Sequence, residues 1–129
     1  TEQKYFDQSA EKIVFFGDET SLALACSFLS VMQEQKKQHL FLFELDAENN
    51  LIPALLGLEN SIVFPKSTLF CHLDQITDLP IFKNEDWSDA YFVLTGNVTS
   101  VQNFRKVIKT QTNARTKHHG YWLQEKKGL

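Results

Sequence analysis

Four short runs of the chain are apolar at nearly every position: IVFF at 13–16, LFLFEL at 40–45, SIVF at 61–64 and AYFVLTG at 90–96. Unbroken runs of β-formers suit strands covered on both faces, where alternation with polar residues would bury the polar ones. The stretches between them change period. Leu22, Ala25, Cys26, Leu29 and Met32 recur at spacings of three and four, which predicts a helix ending near the polar EQKKQ. Val98, Val101, Phe104 and Ile108 trace a second helical stripe, with Arg105, Lys106 and Lys109 on its other side. A short helix is expected over 52–58, with Pro53 in its first turn, and another over 68–76. Irregular chain is expected around Pro80, and a last strand near 120–123.

Strands thus alternate with helices, and no Asn-Gly or Asp-Gly hairpin signal appears. The pattern predicts an α/β fold of three layers: a Rossmann-like parallel sheet of about five strands, with helices on both faces and right-handed crossovers. No repeat, low-complexity segment or interior linker interrupts it. The 129 residues, 43% hydrophobic, are enough for one core of ordinary size.

Composition narrows the function classes. No apolar run approaches the roughly 18 residues of a membrane span, and residues 1–11 lack the basic start and apolar middle of a signal peptide, so the cytoplasm is the expected compartment. Cys26 and Cys71 lie in apolar patterns and read as buried free thiols rather than a disulfide. The four histidines show no ligand spacing, so no metal is expected. Residues 101–129 hold seven of the 13 Lys and Arg against a single acid, Glu125, placing a cationic end on an acidic body of net charge -3 overall. Such an end is suited to an anionic ligand or is simply solvated; no nucleic-acid partner is expected.

In open parallel sheets, ligands bind at the carboxyl ends of the strands. Gly17 in FFGDET and Gly96 in VLTGN each follow a strand directly and precede a helix, where backbone can approach a ligand closely and free N–H groups face it. The glycine-rich dinucleotide fingerprint, the P-loop and the G-x-S-x-G elbow are all missing. No catalytic dyad is evident. The adjacent acids Asp18 and Glu19 have no visible partner.

GDETSLALA at 17–25 closely resembles the GDETALPA signature of siderophore-interacting proteins, which are flavin-dependent ferric-siderophore reductases. DAYFVLTGNVTSVQNFRKVIK at 89–109 is similar to that family's strand, Gly-acid turn and helix, and HHGYWLQEKKGL at 118–129 is similar to its terminal Gly-Tyr-Trp segment. The three matches occur in the family's order. Ser21, Ala23-Leu24, Asn97 and Leu123 depart from its pattern, and its central Trp-x-x-Arg segment has no clear counterpart between Ser61 and Leu79.

The resemblance implies a NAD(P)H-binding domain of the ferredoxin-reductase superfamily at 12–129, with residues 1–11 as the linker from an N-terminal FAD-binding β-barrel that is missing here. NADH or NADPH would deliver hydride to the FAD, and the flavin would pass electrons to Fe(III) held by a siderophore. It further implies that Gly17, Asp18, Glu19, Thr20 and Ser21 contact the nicotinamide and pyrophosphate, with Gly96 and Asn97 as the facing wall. Thr20 serves equally well as a plain helix N-cap, and Gly96-Asn97 as an ordinary turn.

Glu44 and Asp46, at the end of the second strand, stand where an acid in Rossmann-type folds bonds the adenosine ribose and disfavours a 2′-phosphate, unless they form a solvated strand exit. That position argues for NADH, and Lys66 at the next strand end argues for NADPH. Tyr121 and Trp122 are expected either over the flavin pocket or as buried strand aromatics. Arg115, Lys117 and His118, with His119, either attract an anionic ferric siderophore or form basic surface. Two rival functions share the fold: a noncatalytic interaction module, and a reductase domain serving another electron acceptor.

Overall fold

The computed structural model describes residues 11–83 and 87–112 and the backbone of 116–117. Its strands are β1 (Lys12–Gly17), β2 (Gln38–Leu45), β3 (Ser61–Pro65) and β4 (Tyr91–Leu94), with a two-residue strand β5 (Thr116–Lys117) at one edge. Its helices are α1 (Leu22–Glu34), α2 (Ile52–Leu55), α3 (Leu73–Thr77), α4 (Pro80–Lys83) and α5 (Val98–Gln111).

Every ladder is parallel. Phe15 is in register with Phe41 of β2 on one side and Val93 of β4 on the other, Phe43 with Val63, and Phe92 with Thr116. The spatial order is β3-β2-β1-β4-β5. The four strands of full length form the α/β sheet anticipated from the apolar runs. The final strand expected at 120–123 lies outside the described residues, and the short β5 precedes it.

β1, β4 and the second half of β2 are apolar at nearly every position because their side chains alternate between two buried faces, whereas the edge strand β3 is only half-buried. Ile13, Phe15, Phe41, Phe43, Tyr91 and Val93 pack beneath α1, through Ala25, Phe28, Leu29 and Met32. Val14, Phe16, Leu42, Phe92 and Leu94 pack on the opposite face, under Ile76 of α3, Ile81 of α4 and Val101, Phe104, Val107 and Ile108 of α5. Phe28 fills α1's stripe beside the positions picked out by spacing.

Three expectations change. The helix expected over 68–76 is split into a 3-10 turn, Leu69–Cys71, and α3, because His72 between them is extended (φ -129°, ψ 110°). The chain at Pro80 is helical rather than irregular, since proline is compatible with the first position of a helix and begins α4 there. The helix expected over 52–58 is shortened to α2, and Gly57, at φ +76°, turns the chain so that Leu58 enters the core.

Phe104 is the hub of the second face. Its ring meets Phe16 and Phe70 at centroid distances of 5.2 Å each, Phe92 at 6.0 Å and Phe82 at 6.1 Å. Phe104→Ala is expected to lower unfolding stability by roughly 3–5 kcal/mol in urea titrations. Leu55→Ala, at a side chain 81% exposed, is expected to change it by less than about 0.5 kcal/mol.

Candidate functional site

The order β3-β2-β1-β4 places the reversal of chain direction across the sheet between β1 and β4, and their carboxyl ends form the crevice where such sheets take ligands. Here the chain makes close contact with itself. Thr95 N donates to the Phe16 carbonyl at 2.9 Å. Thr95 Oγ lies 2.8 Å from the same carbonyl oxygen and 2.6 Å from Ser21 Oγ. A Cβ on Gly17 would stand 2.6 Å from both Ser21 Cβ and Thr95 Oγ, so only glycine lets this pair of hydroxyls meet over the strand end. Gly96 has φ +97°, and a Cβ there would lie 3.2 Å from Asp18 N and Cγ. Both glycines therefore serve contact between the two strand-to-helix joints.

A 3-10 turn, Glu19–Ser21, precedes α1, whose N-cap Ser21 makes no side-chain cap bond, and that turn is capped by Asp18, not Thr20. Asp18 Oδ1 accepts from Thr20 N at 3.0 Å and Thr20 Oγ at 2.6 Å, the Asp18 carbonyl accepts from Ser21 N at 2.9 Å, and Ser21 completes a capping box. Glu19 reaches sideways. Its Oε2 accepts from Asp46 N at 2.8 Å and Asn49 Nδ2 at 2.9 Å, and its Oε1 pairs with the Lys66 ammonium. Asp46 lies 3.7 Å from the same ammonium. The acids with no visible partner in sequence are thus both engaged: one caps the first turn after β1, and the other ties that turn to the exits of β2 and β3.

A cleft of about 300 Å³ opens beside this joint, lined by Asp18, Glu44, Lys66, Ser67, Cys71, Asn97, Thr99 and Ser100. Asn97 caps α5 by accepting from Ser100 N at 3.1 Å, so a neutral side chain performs the capping where the resembled family has an acid. Glu44 is 2% exposed, accepts a hydrogen bond from the Ser100 side chain, and leaves its buried Oε2 without a hydrogen-bond partner among the described residues. Lone carboxylate oxygens of this kind are costly, because water is removed and nothing replaces it.

The two glutamates are tuned in opposite directions. Burial would raise the Glu19 pKa, but the Lys66 ammonium and the Asn49 and Asp46 donors prevail and hold it at about 2. Lys66 is raised in turn by its bond to Glu19. Burial raises Glu44 above the ordinary carboxylate range; Asp18 and Glu19 add to the rise, while Ser100 and Lys66 oppose it.

Of the residues singled out in the sequence, Asp18, Glu44 and Asn97 line the cleft, and Glu19 and Asp46 flank it through Lys66. Ser21 is buried against Thr95, and Thr20 is exposed and bonded to Asp18. Arg115, His118, Tyr121, Trp122 and the Lys117 side chain lie outside the described residues. Ser100, Thr99, Ser67 and Cys71 complete the wall without having been anticipated. Position offers a signal for Ser100 alone, three residues after a capping Asn. Cys71 is exposed rather than buried, since Phe70 beside it takes the core position; both cysteines are free, and Cys26 is half-buried. Among the described residues no cluster of metal-ligating side chains occurs, and no helix is long and apolar enough to cross a membrane.

The opposed shifts give opposite pH signatures. Glu19, with its pKa depressed in the fold, contributes stability that is complete above about 4.5 and is lost as pH falls toward about 2. Glu19→Gln should melt lower than wild type at pH 7, with the gap closing across that window. Glu44, with its pKa raised, costs stability as pH rises above about 4.5. Glu44→Gln should melt higher at pH 7 and lose that advantage below about 4.5. Calorimetric melting of both variants from pH 7 to pH 2.5 checks the two signs.

No family model, curated protein or solved structure matches this chain.

Proposed function

We propose that the chain is the NAD(P)H-binding domain of a flavin-dependent ferric-siderophore reductase, taking its nucleotide in the cleft beside the carboxyl ends of β1 and β2. The resemblance at 17–25, 89–109 and 118–129 supports the reading, as does a strand order whose reversal falls beside that cleft. The observation that carries it is Glu44: a buried carboxylate at the end of β2 that lines the cleft and has one oxygen without a hydrogen-bond partner among the described residues would gain a donor from a ribose hydroxyl.

The fit differs between the two helix starts. At α5, Thr99 and Ser100 line the cleft beside the Asn97 cap, and the helix start is a favourable place for phosphate oxygens. In the 3-10 turn that leads into α1, Asp18 and Glu19 already take the N–H groups of Glu19, Thr20 and Ser21, and their charge opposes a pyrophosphate there. Phosphate binding through the GDET turn is therefore dropped from the proposal. Lys66, committed to Glu19 and Asp46, offers little to a 2′-phosphate, so the preferred nucleotide is NADH.

The nucleotide, when bound, supplies hydride to an FAD held mainly by a barrel outside this chain, and the ferric siderophore is the substrate that the flavin reduces. The chain's own part is to bind and orient: Glu44 anchors the ribose, and the Thr95–Ser21 contact keeps the two strand ends at fixed separation. No side-chain acid or base is required for hydride transfer, in keeping with the lack of a catalytic dyad. A noncatalytic interaction module is the second reading, favoured by the closed start of α1.

Titration calorimetry of the chain with NADH and NADPH separates the two readings. Saturable one-to-one binding is expected, tighter for NADH, and Glu44→Met is expected to weaken it about tenfold or more. The chain alone should not sustain reduction of a ferric chelate by NADH. Failure to bind either nucleotide would favour the module.

A further inference from the structure

Of the five large apolar side chains exposed among the described residues, four fall between positions 51 and 62: Leu51, Leu55, Leu56 and Ile62. Scattered exposed leucines need no explanation, but their concentration in one segment marks a contact surface. The leucines lie on and beside α2, and Ile62 is in β3, the edge strand of the sheet. Pro53 and Ala54 of α2, with Leu58, Ser61 and Val63, wall a groove of about 420 Å³ along that edge.

The backbone of the edge is open as well. Phe41 N donates to the Asn60 carbonyl at 2.9 Å, and Phe41 is in register with Ser61. A parallel ladder of that register turns the N–H and C=O groups of Ile62 and Phe64 toward β2, and those of Ser61 and Val63 away from it. Among the described residues nothing bonds to these outward groups. Edges of this kind are usually guarded by a charge or a proline. Here Pro65 and Lys66 come only at the far end, and Lys66 is held by Glu19 and Asp46; from Ser61 to Phe64 there is neither.

We propose that β3 pairs with β3 of a second copy of this chain, antiparallel about a two-fold axis at Ile62, so that two sheets become one. The groups on offer fix the register. With Ile62 opposite its copy, Ser61 and Val63 exchange N–H···O=C bonds with Val63 and Ser61 of the other copy, and each outward amide of the pair finds a carbonyl. Pro65, which has no N–H to give, falls beyond the paired stretch, and Asn60, at φ +59°, ends it on the other side. The exposed Ile62 then packs against its copy on one face. On the other face, the grooves beside Ser61 and Val63 meet across the axis, flanked by the two copies of α2 and their leucines. Charge favours a copy of the chain over an unrelated strand, because antiparallel pairing sets Glu59 of one copy at the same end as Lys66 of the other, twice. The pairing requires no nucleotide. In dilute solution the copies separate and the leucines return to water.

Sedimentation velocity of the full chain, from low micromolar to millimolar concentration, reads the association directly, and a monomer–dimer equilibrium is expected. Ile62→Lys, which sets two cations at the axis, should weaken it at least about tenfold, and Glu59→Lys at least about threefold at low salt. Both side chains are exposed, so circular dichroism should show each variant folded as wild type. Cross-linking tests the axis itself. In a Cys26→Ser, Cys71→Ser background, Ile62→Cys treated with copper–phenanthroline should give a symmetric disulfide-linked dimer, since Cα atoms facing each other at a non-hydrogen-bonded position lie about 4.5 Å apart. Leu73→Cys, exposed on α3, should stay unlinked under the same treatment. A chain that remains monomeric over the whole range overturns the proposal and assigns the edge to a different partner. A dimer indifferent to Ile62→Lys, or one in which Ile62→Cys links no faster than Leu73→Cys, overturns it too.

Discussion

The contact on which the site depends is the meeting of two hydroxyls, Thr95 and Ser21, 2.6 Å apart above the carboxyl ends of β1 and β4. It ties the two strands, already bonded through Thr95 N and the Phe16 carbonyl, to the first turn after β1. The arrangement leaves no room for a side chain at Gly17, and it brings Gly96 against Asp18. Two glycines that follow strands and precede helices are usually read as openings toward a ligand. In this chain they are occupied by the protein itself, and the opening lies to one side, between β2 and the start of α5.

That displacement follows from how the acids are placed. Glu19 is ionised and held by Asp46 N, Asn49 Nδ2 and the Lys66 ammonium, and it binds the exits of β1, β2 and β3 into one rim. Glu44, by contrast, is buried with a single side-chain donor and a free oxygen, an arrangement that costs stability. Uncompensated polar groups of this kind persist where something other than stability retains them. The rim thus has a stabilising acid and a costly acid side by side, and only the costly one faces the cleft.

The sheet was legible because both of its faces are buried. Apolar runs at 13–16, 40–43 and 90–94 admit few other structures, and the 3.6-residue stripe of α5 survives in the buried set Val101, Phe104, Val107 and Ile108. The segment from 66 to 83 was harder. Its helices are only four or five residues long, too short to show a period, and an extended His72 breaks what looks in sequence like one helix. Cys71 misled for a related reason: in a 3-10 turn, neighbouring residues diverge sharply, so the apolar company of Leu69 and Phe70 does not extend to it. Glu44 was marked by its place at the end of β2, but its burial was not, because nothing in LFLFEL distinguishes an acid turned beneath α5 from one turned to solvent.

The resemblance and the geometry bear on different parts of the same joint. GDET resembles a family's signature in sequence, yet its residues act inwardly: Gly17 admits the hydroxyl pair, Asp18 caps, and Glu19 bridges. A turn that spends its donors on its own acids holds the start of α1 in place at the cost of its capacity for an anion. The start of α5 has the reverse character. Asn97 is a neutral cap, and Thr99 and Ser100 stand at the cleft, where the Ser100 side chain bonds to Glu44. With Asn97 as its cap, the start of α5 carries no acid in its cap position, unlike the turn before α1 with Asp18 and Glu19. The turn before α1 remains the fixed point beside which Glu44 and the cleft lie.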